Sequence, residues 1–137
     1  MTTGEHQAMD VDELLAHGRT VGREVTRLRF ALVDLALEIA PMDGRAGIEM
    51  TAEVVARGRE LSRQLSDAYF RLGDLALALA PIGSQHPSPD RHRSLNAMAE
   101  AAGLEFSELA GCRIIAHYYA PEQRVPGMVH LFESVGV

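Results

Sequence analysis

The stretch FALVDLALEIAP at residues 30–41 returns forty positions later as FRLGDLALALAP at residues 70–81. The two stretches close a longer ungapped match between residues 13–41 and 53–81. The identical pairs are Glu13/Glu53, Ala16/Ala56, Gly18/Gly58, Arg19/Arg59, Arg23/Arg63, Phe30/Phe70, Leu32/Leu72, Asp34/Asp74, Leu35/Leu75, Ala36/Ala76, Leu37/Leu77, Ala40/Ala80 and Pro41/Pro81. An internal repeat of this kind indicates a duplicated supersecondary unit that buries its apolar face against its copy or against another chain.

Apolar residues recur in each copy at alternating steps of three and four, which is typical of helices packed lengthwise. The first copy carries Leu14, Gly18, Val21, Val25, Leu28, Leu32, Leu35 and Ile39 at these positions, and the second carries Val54, Gly58, Leu61, Leu65, Ala68, Leu72, Leu75 and Leu79. We expect two long helices, residues 11–40 and 51–80, that form an antiparallel hairpin because the connecting segment MDGRAGIE is short. Asp10 with Glu13, and Thr51 with Glu53, suit the two helix starts, and Pro41 and Pro81 suit the two ends.

The C-terminal half of each predicted helix is apolar nearly all round. In the first copy Phe30, Val33, Ala36 and Leu37 lie off the main seam. A helix of this kind is buried on more than one side. We therefore expect a second layer over these residues, supplied by the C-terminal segment, by a second chain, or by both.

Composition sets the outer limits. The 137 residues fit one domain, or a helical hairpin with a small module, and the net charge is −6 with no lysine. This charge argues against a protein that coats nucleic acid nonspecifically. The single cysteine, Cys112, excludes an internal disulfide. We found no secretory signal or membrane-spanning run, so a cytoplasmic protein is expected.

After the repeat the pattern changes. Residues 81–93, PIGSQHPSPDRHR, hold three prolines and end in the basic cluster Arg91, His92 and Arg93. This composition predicts an extended linker, whose end is either solvated or in contact with phosphate. The expected organisation is a disordered N-terminus (1–10), a long-helix hairpin that dimerises (11–81), a linker (82–93) and a C-terminal module (94–137).

Residues 94–115, SLNAMAEAAGLEFSELAGCRII, have the proportions of a helix-turn-helix. In this interpretation Leu95, Met98, Leu109 and Cys112 point inward, small Ala99 lies where the helices cross, and Gly103 takes the left-handed turn conformation. An ordinary Ala-rich helical hairpin is the alternative. A short closing helix is expected to begin near Pro126, since proline suits a first helical position.

The stretch GCRIIAHYYAPEQRVPGMVH, residues 111–130, resembles the end of the recognition helix in small actinobacterial helix-turn-helix DNA-binding proteins. In that group a Tyr-Arg-x-Val-Ala stretch leads into an aromatic residue, a Pro-x-x-Arg turn and a closing helix. Its members also carry a leading helix with a GDLALEIAP-like ending, which this chain has twice. The resemblance implies DNA binding and regulation of a plasmid or phage type. It also suggests that the second copy packs as the leading helix of the module, which leaves the first free to extend the interface.

The chain departs from that pattern on the reading face. Cys112 replaces the expected aromatic residue, and the positions that would face a major groove are Glu105, Phe106, Ser107, Ala110, Gly111 and Ile114. Bases are read mainly by Arg, Lys, Asn and Gln, and none of these six is of that kind. The leading hypothesis is still a homodimeric DNA-binding transcriptional regulator. Its phosphate contacts would be Arg91, Arg93 and Arg124, and its groove contacts Ser107, Arg113 and His117.

The competing hypothesis is a protein-interaction adaptor or antirepressor whose helix-turn-helix has lost DNA binding. Phe106, Ala110 and Ile114 then form a docking strip, although Ile114 also suits a core position. In both hypotheses the homodimer forms through seam residues of the repeat. These are Leu28, Leu32, Leu35, Ile39, Leu72, Leu75 and Leu79.

Asp34 and Asp74 occupy matching places within the apolar halves. Each either contacts an arginine, such as Arg29, Arg71 or one from a second chain, or lies on a solvent stripe with Glu38. The two carboxylates have no histidine at helical spacing, and the chain shows no metal motif or phosphate-binding loop. We therefore expect no catalytic residues, no metal and no cofactor.

Overall fold

The computed structural model describes residues 10–39, 52–82 and 89–124, and within these ranges the chain is all-α with no strand. The elements are α1 (Val11–Ile39), α2 (Ala52–Leu79), α3 (Pro89–Ala102) and α4 (Phe106–Tyr118), followed by a 3₁₀ turn at Pro121–Gln123. The predicted all-α class is confirmed, and the two long helices begin and end within one residue of the predicted bounds. The Thr51 cap, the closing helix near Pro126 and the N-terminal segment before residue 10 lie outside the described residues.

The start of α1 is a capping box, as Asp10 and Glu13 predicted. The Glu13 backbone N–H donates to Asp10 Oδ1 at 2.8 Å, and the Asp10 backbone N–H donates to Glu13 Oε1 at 3.3 Å. Two backbone N–H groups that have no carbonyl acceptor within the helix are hydrogen-bonded in this way. The acidic first turn also suits the positive end of the helix dipole.

Helices α1 and α2 pack antiparallel. Near the end of α1, Leu35 lies against Gly58 and Glu38 pairs with Arg57 at 2.9 Å. Further back along α1, Arg29 bonds to the Tyr69 hydroxyl. The two helices therefore run in opposite directions, and the heptad positions of the two copies face each other within one chain.

Helix α3 begins at Pro89, inside the segment predicted to be a linker. A proline at the first helical position loses no hydrogen bond, and its fixed φ suits the helix, so Pro89 starts α3 instead of extending the linker. Asp90 in the first turn pairs with Arg93 at 3.1 Å. The linker predicted at 82–93 is therefore too long by five residues, and Arg91 and Arg93 lie on a helix.

One continuous core joins all four helices. Its fully buried side chains include Val25 and Leu28 from α1, Ala68, Leu72 and Ala76 from α2, Met98 from α3 and Leu109 from α4. Leu95, Ala99 and Cys112, predicted to face inward, are buried in the same cluster. Helix α1 is therefore not left free beside the C-terminal helices, because it packs against α3 as well as α2.

Two glycines that the repeat does not share decide where the short helices pack. A Cβ atom at Gly22 would lie 2.2 Å from the Ala102 carbonyl oxygen at the end of α3, and one at Gly73 would lie 2.2 Å from the Cys112 carbonyl oxygen in α4. The equivalent positions in the other copy hold Ser62 and Val33. Because only glycine admits so close a backbone approach, α3 packs on α1 and α4 packs on α2.

Candidate interaction surface

A three-residue turn joins α3 to α4 and sets the direction in which α4 leaves. Gly103 has a φ of +74°, as predicted for the left-handed turn position. The Leu104 backbone N–H donates to the Ala99 carbonyl at 2.9 Å, and Glu108 Oε1 accepts the Glu105 backbone N–H at 3.0 Å. The end of α3 and the start of α4 are therefore both hydrogen-bonded.

The outward side of α4 is apolar and flat. We define the α4 strip as Ser107, Ala110, Gly111, Ile114 and Tyr118, which share one face at helical spacing. Ile114 is 46% exposed and Tyr118 is 70% exposed. A Cβ atom at Gly111 would meet nothing within 4 Å, so the middle of the strip is open. No member of the strip carries a charge.

Phe106, expected in a docking strip, is only half-buried by its own chain. Its ring centroid lies 4.6 Å from that of His92 on α3. Ile114, for which a core position was the plainer expectation, lies on the surface instead. Of the predicted strip, Ile114 is exposed, whereas Phe106 and Ala110 are both half-buried.

Arg113, the strongest expected base reader, points away from the α4 strip. Its Nε donates to the Ala80 carbonyl at 2.7 Å, just beyond the C-terminus of α2, where a cation also suits the helix dipole. Burial lowers the pKa of Arg113, and the nearby charge of Arg91 lowers it further. Its buried Nη2 has no acceptor in the described part of the chain.

Arg124, an expected phosphate contact, is instead the most engaged side chain of the described surface. Its two terminal nitrogens donate to the carboxylate of Asp74 at 2.7 and 2.8 Å, and Nε donates to the Tyr119 carbonyl at 2.8 Å. Its Cζ lies 4.4 Å from the centroid of the Phe70 ring. The side chain is 14% exposed. Arg124 therefore clamps the segment after α4 onto α2, and the partner of Asp74 is this arginine and not Arg29 or Arg71, which were the expected ones.

The remaining residues expected to contact DNA are dispersed. Arg93 is exposed and paired with Asp90, while Arg91 is half-buried beside Arg113. Ser107 and His117 are both exposed on α4, and the His117 ring packs edge-on against Tyr118 at 5.3 Å. Of the residues expected to contact DNA, only Ser107 and His117 are therefore exposed on α4.

The leucine seam proposed for dimerisation lies inside the chain. Leu28, Leu35 and Leu72 are buried in the folded monomer. Leu32, Leu75 and Leu79 are half-buried, and the side chain of Ile39 lies outside the described residues. The assignment of Leu28, Leu35 and Leu72 to a dimer interface is corrected for this reason, because these side chains are buried within one chain. For the half-buried Leu32, Leu75 and Leu79 the assignment stays a prediction.

A polar network that links three helices was missed. Arg29 Nη2 donates to the Tyr69 hydroxyl at 2.7 Å and to Glu108 Oε2 at 2.5 Å. Partial burial lowers the pKa of Arg29, but Tyr69 and Glu108 together outweigh that effect and raise it. Arg29 therefore holds α1, α2 and α4 together and is not the partner of Asp34. No local pattern could reveal this, since Arg29 and Glu108 lie 79 positions apart.

A shallow cleft of about 270 Å³ lies between α2 and the turn that follows α4. Its lining includes Arg63, Arg71 and Arg124, and each of these arginines is paired with a carboxylate within the chain. The cleft is therefore compensated in charge and does not form an anion site.

In the described ranges, no three His, Cys, Asp or Glu side chains are grouped so that they could hold a metal ion. None of the helices described is both long and apolar enough to cross a membrane. Comparison of the chain with protein-family models, curated proteins and solved structures finds no match.

Proposed function

We propose that this protein is a non-enzymatic interaction adaptor that presents the α4 strip to another protein. The observation that carries the proposal is the inward engagement of Arg113 and Arg124. With these two guanidinium groups bonded to Ala80 and Asp74, the outward side of α4 keeps apolar and small side chains and no strong base reader.

The arrangement of α3, the Gly103 turn and α4 supports a helix-turn-helix-like module in this role. In our proposal α1 and α2 form a helical hairpin that serves as its scaffold. The module keeps the short first helix, the left-handed glycine and the second helix that presents its outer face. The module differs from a DNA-binding helix-turn-helix in the chemistry of the outer face of its second helix.

The chemistry of the α4 strip suits a protein partner. Ala110 and Gly111 allow a close approach of a partner's backbone, and Ile114 and Tyr118 offer apolar area on either side. Glu105 is exposed at one end of the strip, and the chain has a net charge of −6. The expected partner therefore offers an apolar helix or strand with basic residues at its rim.

A second candidate is the homodimeric DNA-binding regulator that the family resemblance implies. It is favoured by one observation, the exposed Arg93 on the same helix as Arg91, whose charge adds to burial in lowering the pKa of Arg113. Positive charges gathered in this part of the surface suit phosphate. In this candidate Arg91 and Arg93 contact the DNA backbone, while Ser107 and His117 approach the groove.

The test replaces the open centre of the α4 strip. Gly111→Arg places a long charged side chain in the middle of the strip, where a Cβ atom meets nothing within 4 Å. Ala97→Arg on the exposed side of α3 is the matched control. In affinity purification from host extract, we expect a stoichiometric partner to be retained by the wild type and by Ala97→Arg, and to be lost with Gly111→Arg.

The same three proteins and a fourth, Arg91→Ala, are applied to DNA from the gene's own neighbourhood at low and high salt. Salt-sensitive retardation that Gly111→Arg keeps and Arg91→Ala weakens would favour the regulator and overturn the adaptor. Equal recovery of a bound protein by Gly111→Arg and by Ala97→Arg would also contradict the proposed surface.

A further inference from the structure

The two copies of the repeat present the same face to different surroundings. On α2, Phe70 is 4% exposed beneath Arg124, and Gly73 contacts α4. On α1, the equivalent Phe30 is 65% exposed. Val33 and Leu37, which match Gly73 and Leu77, are exposed at 52% and 62%. The second layer expected over both copies therefore covers only α2 within the described residues.

The covered copy shows what this face accepts. Arg124 bonds to both carboxylate oxygens of Asp74 and lies over the ring of Phe70. Asp34 occupies the matching position on α1, one helical turn beyond Phe30, and it is exposed with no ion pair or hydrogen bond to any residue that the structure describes. The uncovered face of α1 therefore presents an aromatic ring beside a carboxylate. An arginine side chain can contact both groups at once.

The α1 face carries its own complement. Arg27 lies three residues before Phe30 and Asp34 four residues after it, so that all three point to one side of the helix. Arg27 is exposed and, like Asp34, has no bonded partner among the residues in the described ranges. Residues 27 and 34 are symmetric about the point midway between residues 30 and 31. Two antiparallel copies of α1 that cross at this point therefore bring each Arg27 opposite an Asp34.

We propose that the α1 face, defined by Arg27, Phe30, Val33, Asp34 and Leu37, is the surface on which a second copy of this chain docks. The partner's Arg27 takes the place on Asp34 and Phe30 that Arg124 has on Asp74 and Phe70. The two Phe30 rings meet near the two-fold axis, and Val33 and Leu37 extend the apolar contact. This interface uses none of the buried leucines, and it is independent of whether the α4 strip binds a partner.

The first experiment measures the mass of the full chain by sedimentation across micromolar concentrations. The wild type and the control Val11→Asp, an exposed apolar residue off the α1 face, are expected to dimerise with equal affinity. Phe30→Asp is expected to weaken the dimer at least about thirtyfold, because it removes an aromatic anchor from both halves of the interface. A monomeric wild type, as expected if residues 125–137 of the same chain cover the face, would overturn the proposal.

The second experiment exchanges the charges. Arg27→Asp and Asp34→Arg alone each place like charges across the two-fold axis, so each is expected to weaken the dimer. The double variant restores the opposite-charge pairs and is expected to recover most of the affinity. Arg27 and Asp34 lie about 10 Å apart along one helix, too far for this recovery to arise within a chain. Failure of the double variant to recover the dimer, with its circular dichroism unchanged, would contradict the proposed pairing.

Discussion

At the scale of single residues, the positions at which the two copies differ decide the fold more than the positions at which they agree. Gly22 and Gly73 have no glycine counterparts in the other copy, and each admits the backbone of a different short helix. The shared Gly18 and Gly58 meet only side-chain atoms, Met98 and Leu35, at 3.3 and 3.5 Å. Among the differences between the two copies, Gly22 and Gly73 therefore allow a different short helix to pack closely on each long helix.

Gly73 and Gly111 provide a matched pair for alanine substitution. Gly73→Ala is expected to lower the free energy of unfolding by about 1–3 kcal/mol, because its Cβ meets a backbone carbonyl that cannot move alone. Gly111→Ala is expected to raise it by about 0.5–1 kcal/mol, because open space surrounds the site and alanine restricts the unfolded chain. Urea unfolding followed by circular dichroism measures both. Equal stability of the two variants would refute the close approach at Gly73.

At the scale of elements, arginines fasten the helices to one another. Arg29 joins α1 to α2 and α4, Arg113 bonds to the chain just after α2, and Arg124 fixes the segment after α4 to α2. The planar guanidinium donates in several directions at once, whereas a lysine ammonium cannot match a carboxylate in bidentate geometry. Two of the residues expected to contact DNA, Arg113 and Arg124, bond within the chain in this way instead.

Replacement of Arg124 by lysine tests this role. Arg124→Lys keeps the charge but loses the bidentate contact with Asp74 and the bond to the Tyr119 carbonyl. We expect the free energy of unfolding to fall by about 1–2 kcal/mol, a value reduced for the partial exposure of Asp74. Arg93→Lys is the control, because the Arg93 side chain is 77% exposed and its loss should change little. Equal denaturation midpoints for the two variants would count against the clamp.

At the scale of the whole molecule, the buried residues of all four helices form one cluster. The sequence predicts instead a long-helix unit joined by a linker to a separate module. The two descriptions differ in cooperativity, because a shared core unfolds in one step whereas separate units open independently.

Leu28→Ala distinguishes the two descriptions. Leu28 lies on α1 and is fully buried, so the substitution is expected to cost about 2–5 kcal/mol. In a single cooperative unit, the amides of α4 around Leu109 and Cys112 lose hydrogen-exchange protection together with those of α1. Protection of α4 that stays at the wild-type value while α1 exchanges faster would instead support separate units.

The amino-acid sequence by itself determined the helices, because periodicity, capping and proline signals act within a few residues of one another. The bounds of α1 and α2, the Asp10–Glu13 capping box and the left-handed Gly103 were all predicted from such local patterns. The start of α3 at Pro89 was missed because the same proline signal suits a linker and a first helical turn.

Only the tertiary structure decided which faces are covered and which arginines are engaged. The pairing of Arg124 with Asp74 and of Arg29 with Glu108 joins residues 50 and 79 positions apart, beyond the reach of any local pattern. Phe30 and Phe70 occupy matching positions of the repeat, yet one is exposed and the other buried, because α4 packs on the copy that carries Gly73. Burial depends on what approaches from elsewhere in the chain, and the repeat alone holds no information about that approach.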